Sequence, residues 1–295
     1  MKKLVLDFFL KEWLLLVSVA GLLLTSLYLQ RLPRVTPEDA QILFILAALF
    51  VAVKGVERSG LMLRLSRMLG RGRRLPLKLV LATFVLSMVV TNDVALVVIV
   101  PLTMALDARR KDLLVILEAL AANAGSALTP FGNPQNLFLY WHYGLQPETF
   151  VAVIAPFSFL FLLLFSLLAL FIPAAAGDRG PLSEPVRGSA ILYAGLLLLV
   201  VLTALRLLPA PVAALVLLYA LFFDRGSLRI DYLLLVTLIC FFGISENVKS
   251  LFQTSLEHSG HIFIFSALSS QVISNVPAAL MFAKFTGQWQ ALLWG

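Results

Sequence analysis

Thr91-Asn92-Asp93 and Ser274-Asn275-Val276-Pro277 are short polar interruptions, each set midway along an apolar stretch. A polar group in hydrocarbon loses its water, so such breaks persist only where protein or a filled cavity surrounds them. Amides and hydroxyls at a chain break can hold an ion or a solute without covalent chemistry. A third interruption, Asn123 to Asn136, contains Gly125, Thr129, Pro130, Gly132, Asn133 and Pro134. Glycines and prolines at that depth unwind a helix, which frees carbonyl oxygens for a cation and exposes half-helix N-termini whose partial positive charge suits an anion. Asp93 is the sharpest of these features, because an ionised carboxylate at the centre of a membrane helix costs about 2.5 to 3.5 kcal/mol on insertion scales. A bound sodium ion or a proton would offset that cost. Capping of the following helix by Asn92 or Asp93 is the structural alternative.

The elements that position these residues follow from composition. Of 295 residues, 60% are hydrophobic and 13% charged, with a mean hydropathy of +0.96. This is the composition of an all-α integral membrane protein, long enough for eight or nine helical segments at about 20 residues per crossing. The net charge of +7 does not indicate nucleic acid, because the basic residues cluster in particular loops rather than forming a stripe with interleaved aromatics. Cys240, the one cysteine, excludes an internal disulfide and reads as helix packing. The run from Trp13 to Leu29 follows Lys2, Lys3 and Lys11 but lacks a cleavage site, so it reads as a retained first helix anchored by Tyr28, Arg31 and Arg34 rather than as a signal peptide.

Eight basic residues lie between Lys54 and Lys78, which places that loop and the N-terminus in the cytoplasm of a bacterial-type cell membrane. The next apolar stretch, 77-106, is followed by Arg109, Arg110 and Lys111, which a single crossing would carry to the outside. As one helix it would be about 45 Å long, against a core of about 30 Å. A re-entrant hairpin turning at Asn92 fits both facts. A broken helix over 113-141 then runs outward to Tyr140, Trp141 and Tyr143, and Phe150 to Ile172 returns. The first half is therefore 1-172, a cytoplasmic linker spans 173-188, and the second half is 189-295. In the second half, Ile191 to Leu208, Val212 to Phe223 and Tyr232 to about Ile244 are crossings, followed by a second hairpin over about 260-293.

The halves repeat one another with opposite polarity. Glu38-Asp39 before a helix ending at Lys54-Gly55-Val56-Glu57 is echoed by Ile230-Asp231 before one ending at Gly243-Ile244-Ser245-Glu246, and each helix leads to a hairpin broken at an asparagine. Inverted repeats of this kind let secondary transporters alternate access around a midplane site. The counterpart of the Asn123 to Asn136 break would fall beyond Gly295, so the second repeat is expected to be incomplete, lacking the second broken helix.

Thr91-Asn92-Asp93, Gly125 to Asn136 and Ser274-Asn275-Val276-Pro277 together resemble the ion transporter superfamily, which includes divalent anion/sodium symporters, citrate and dicarboxylate carriers, arsenite permeases and sodium/proton antiporters. The likeness covers most of the chain. It implies solute binding by Asn92, Thr129, Asn133 and Asn275, ion coupling by Thr91, Asn92, Asp93, Gly125, Ser274 and Asn275, and a homodimer. The expected function is secondary active transport of a small anionic solute, a dicarboxylate, citrate, sulfate or arsenite-like species, coupled to sodium or protons, with no cofactor. Asp93, where many anion symporters carry a small hydroxyl residue, weighs toward cation or proton coupling and keeps a sodium/proton antiporter open. A non-transporting scaffold subunit or an inactive truncated carrier is the reading of another class.

The remaining polar residues read as follows. Lys54 with Glu57, and Glu246 with Lys249, have the i, i+3 spacing of surface pairs at helix ends. Lys284 either attracts an anion or snorkels to the interface. His258 and His261 beside Glu257 lack metal-site spacing. Enzyme chemistry is not expected: no second acid is predicted at the depth of Asp93, and no histidine within the membrane stands ready to activate a nucleophile.

Overall fold

The computed structural model describes residues 12–32, 35–61, 64, 74–104, 107–108, 110–175, 188–251 and 261–294. The expectations placed on Lys2, Lys3, Lys11, Arg34, Arg109, Glu257 and His258, on part of the basic stretch between Lys54 and Lys78 and on most of the linker 173-188 lie outside the described residues. Among the described residues the fold is helical: α1 Trp13–Leu29, α2 Pro37–Arg58, α3 Leu75–Val90, α4 Asn92–Met104, α5 Lys111–Ala127, α6 Pro134–His142, α7 Pro147–Leu170, α8 Ser189–Ala204, α9 Ala214–Phe223, α10 Tyr232–Leu251, α11 Ile262–Ile273, α12 Asn275–Ala283 and α13 Trp289–Trp294. A two-residue antiparallel ladder pairs Asp107 with Ala175 and Ala108 with Ala174. Helices α2, α7 and the Tyr232–Ser250 part of α10 are long and apolar enough to cross a membrane.

Helix α10 extends well past its expected end, whereas α2 stops one residue beyond the expected Glu57. Helix α2 continues through Lys54-Gly55 to Arg58, and Gly55 is required there because a Cβ would lie 1.9 Å from the ring of Tyr193. Helix α10 continues past Ile244 to Leu251. Its polar end is sustained by side chains: Ser245 Oγ donates to Phe241 O (2.5 Å), and Asn247 is held by the end of α1.

The chain divides into two compact units that draw on both halves of the sequence. One comprises 1–47, 138–145 and 231–295 and is organised on α10, which packs against α1 and α12. Lipid is as apolar as leucine, so helices associate there through close approach and polar contacts. Gly21 supplies the approach, with a Cβ there only 3.3 Å from Ile244. Asn247 Nδ2 supplies the polar contact by donating to Thr25 Oγ1 and Ser26 Oγ, both at 3.1 Å. Arg31, expected as an interfacial anchor, donates instead to Asn247 Oδ1 (3.2 Å) and Glu246 O (2.9 Å).

The other unit comprises 48–137 and 146–230 and is organised on α5, which packs against α3, α4 and α7. The buried run Ala121, Ala122, Ala124, Gly125 and Ser126 lets α3 come close. At Gly125 the approach is limiting, since a Cβ would lie 2.2 Å from Phe84 O. At one end of this unit Asp224 accepts hydrogen bonds from Ser227 Oγ (2.6 Å) and Tyr193 OH (2.8 Å) and pairs with Arg58 at 3.6 Å. Burial alone would raise the Asp224 carboxyl; the two donors and the guanidinium outweigh it and hold the group below the ordinary carboxylate range.

Candidate functional site

In the α5-centred unit, α3 and α4 are separated by one residue, Thr91, with φ 87° and ψ 155°. That region of backbone space is nearly reserved for glycine and costs of order 1 to 3 kcal/mol elsewhere. The surrounding contacts hold it. Thr91 is buried, Thr129 Oγ1 donates to Met88 O (2.8 Å), and Asn92 Nδ2 donates to Asn123 Oδ1 (3.3 Å) on α5. Asn123 is oriented in turn by donating to Ala119 O (2.9 Å). The break at Asn92 is therefore in direct contact with Asn123, which is still helical, and the interruption itself begins only after Ala127.

That interruption separates α5 from α6, as the glycines and prolines predict. Asn133 caps α6 by accepting from the Asn136 backbone N–H (2.9 Å), with Pro134 in the first helical position where a missing N–H is tolerated. Asn136 Nδ2 faces the carbonyl oxygens of Ser126 (3.3 Å), Ala127 (2.9 Å) and Thr129 (3.1 Å). Two carbonyls from the last turn of α5 and one just past it thus converge on a point occupied by a side-chain amide with only two protons to give. Gly132 makes the turn tight enough, since a Cβ there would lie 2.1 Å from Ser126 O. Of the expected residues, Thr91, Asn92, Gly125, Thr129 and Asn133 gather here, Thr129 and Asn133 as parts of the local bonding network. Asp93 is exposed and makes no side-chain hydrogen bond or ion pair among the described residues.

In the α10-centred unit, α11 and α12 are likewise separated by one residue, Ser274, with φ 79° and ψ 155°. Ser274 and Asn275 are exposed, and neither side chain is bonded among the described residues. The fixed point lies at the other end of α12. Tyr143 OH reaches Ala283 O (2.9 Å) and Thr286 O (2.7 Å). Lys284 is buried, its side chain 3% exposed, between Asp39 Oδ2 (3.4 Å, 4% exposed) and Glu246 Oε2 (3.3 Å, 32% exposed). This corrects two expectations. Lys284 does not snorkel, because two carboxylates satisfy it in place, and Glu246 pairs with Lys284 rather than Lys249, because the two helices bring them together. Asp39 also closes a capping box, accepting from the Thr36 N–H while its own N–H donates to Thr36 Oγ1, both at 3.1 Å. The Lys54–Glu57 pair forms as its spacing predicts, at 3.0 Å.

Sequence reasoning passed over Glu118. It lies on α5, fully buried, bonded to Thr103 Oγ1 on α4, and its Oε2 has no partner among the described residues. Its signal was available: Glu118 shares a face with Leu114, Leu117, Ala121 and Ala122, which helical spacing puts on the packed side. No cluster of metal-binding side chains occurs among the described residues.

Comparison with known proteins gives this arrangement its family. The chain matches the citrate transporter family (CitMHS) over residues 8–294 and belongs to it. It is 32% identical over 242 residues to an uncharacterized transporter of Methanocaldococcus jannaschii, covering 78% of this chain and 67% of that protein. It is 33% identical over 282 residues to the inner membrane protein YbiR of Escherichia coli, covering 87% of this chain and 74% of that one. A shorter likeness, 33% over 126 residues, links it to the silicon efflux transporter LSI3 of rice, covering 40% of this chain and 26% of that protein. The protein is thus a membrane protein of a transporter family, not an enzyme.

Proposed function

We propose that this member of the citrate transporter family is a secondary active carrier of a small anionic solute, citrate or a related carboxylate first, driven by sodium or protons. In this reading α3–α4 and α11–α12 are re-entrant hairpins of two inverted repeats, in a cell membrane with the N-terminus inside. The observation that carries it is the shared tip geometry: Thr91 and Ser274 adopt the same rare backbone conformation, φ 87° and 79° with ψ 155° in both, and each is followed by an asparagine that opens a helix. Local sequence does not dictate that conformation for threonine or serine, so its recurrence supports two copies of one functional device.

Ion pairs support the re-entrant topology by parity. Arg58 pairs with Asp224, and the chain between them runs through α3–α4, the broken α5–α6, α7, α8 and α9. Among the described elements the last four would make an even number of crossings, so a pair on one membrane face argues against a single crossing by α3–α4. Lys284 pairs with Glu246, and the described elements between them are the end of α10, α11 and α12, which favours both ends of that second pair on one face. The α12 N-terminus carries no acid in its first turn, and its free N–H groups suit an anion.

Reconstituted vesicles with labelled citrate, under separate sodium and pH gradients, test the reading. Uptake is expected under one gradient, together with loss of uptake in Asn92→Ala and in Asn275→Ala while both variants still insert. Silence toward citrate under both gradients would remove it as the solute, and wild-type uptake in both variants would remove the asparagines from the site.

A further inference from the structure

We propose that Glu118 is the proton-carrying group of this carrier, taking up and releasing one proton as α4 moves against α5. The inference rests on the reading above that transport is ion-coupled, and it names the ion and its place. Glu118 is 0% exposed, midway along α5, and among the described residues its one side-chain partner is the Thr103 hydroxyl from α4, also 0% exposed. The second oxygen is buried without any partner among the described residues. An ionised carboxylate in that setting would need a cation or several donors to offset desolvation. The titratable groups on the helices packed against α5 are Lys78 on α3, Asp93 on α4 and Glu148 on α7, with Lys111 and Asp112 on α5 itself. None is ion-paired with Glu118. Lys111 Nζ turns to Met104 O instead (3.0 Å). A proton on the orphaned oxygen removes the charge and leaves the Thr103 bond in place.

The location converts proton binding into coupling. Full burial means that a proton reaches Glu118 only when the seam between α4 and α5 opens. Pro101, inside α4 and two residues before Thr103, has no N–H for the helical bond and loosens that turn. The same helix begins at Asn92, so one helix links the α3–α4 tip to the proton site.

The test uses the full chain. Glu118→Gln, which fixes the uncharged form, is expected to lower stimulation of citrate uptake by a pH gradient by about tenfold or more, within the usual range of site-to-site coupling, while citrate exchange at equal pH on both sides persists. Unchanged stimulation overturns the proposal, and so does joint loss of stimulation and exchange, which marks a packing role. A second measurement needs no solute: infrared spectra of purified protein near pH 7 are expected to show a protonated-carboxyl band that Glu118→Gln removes and Asp93→Asn leaves. Absence of that band in the wild type overturns the proposal. Its presence in a protein that moves no citrate upholds Glu118 and discards the solute.

Discussion

The pairs α3–α4 and α11–α12 share a tip conformation and differ in where they are fastened. The first, with arms of 16 and 13 residues, is held at its tip: Thr91 is buried, Met88 O accepts from Thr129, and Asn92 reaches Asn123. The second, with arms of 12 and 9 residues, has an exposed tip and is held at its base by Tyr143, Asp39 and Glu246. The first turn after each break also differs in charge, with Asp93 in α4 and no acid in α12. In the reading proposed above, the fastened, acidic tip would hold a cation, and the free tip with its bare N–H groups would close on an anion. The two breaks share a backbone conformation and differ in what fastens them.

The largest effect that would break this comparison is removal of the base fastening. Lys284→Met leaves Asp39 buried without its cation, and breaking a buried pair from one side costs about 3 to 5 kcal/mol. Thermal unfolding of the purified protein should show a loss of that order, whereas Lys54→Met, at a half-buried pair, should cost about 1 kcal/mol or less. Equal losses would mean that Lys284 fastens nothing.

The tips themselves sharpen the comparison at a smaller scale. Asn92→Ala removes an interhelical hydrogen bond and should cost about 1 kcal/mol of stability in addition to transport. Asn275→Ala removes no bond within the described residues, so transport should fall with stability unchanged. Equal destabilisation would show that the second tip is fastened as firmly as the first.

How much of this was legible beforehand depends on sequence distance. Both breaks and the unwound segment were readable because glycine, proline and asparagine act on their own neighbourhood. The contact between Asn92 and Asn123 was not legible, since 31 residues separate the two and nothing in their spacing names partner atoms. Lys284 was misjudged because its two carboxylates lie 245 and 38 residues away, and a lysine late in an apolar stretch ordinarily snorkels. The echo of Asp39 in Asp231 proved a likeness of letters more than of role. Asp231 accepts from Leu234 N–H (3.0 Å) as the cap of α10, while Asp39 sits two residues inside α2 and serves Lys284 as well. Glu118 was hidden by averaging, since one acid hardly alters the apolar mean of the segment around it.

The smallest predicted effect concerns His142, at the end of α6 just beyond the predicted crossing, whose ring stacks on Phe138 at 5.2 Å near the base of the second pair. Burial pushes its imidazole below the ordinary value near 6.5. A hydrogen bond to Ala283 opposes that shift, Lys284 adds to it by repulsion, and Asp39 and Glu38 oppose it. The folded protein therefore holds His142 neutral at pH values where the unfolded chain already binds a proton. The stability this contributes is complete above about pH 6.5, and it should drain away as pH falls from there toward the lower folded value, with a slope of at most about 1.4 kcal/mol per pH unit. Because the side chain is only half-buried, solvent screening keeps the total to about 1 kcal/mol or less. Unfolding midpoints measured between pH 7 and pH 5 should fall in the wild type and flatten in His142→Gln. In Lys284→Met the repulsion is gone, so the same fall should shrink, and an undiminished slope there would show that His142 does not feel the base fastening at all.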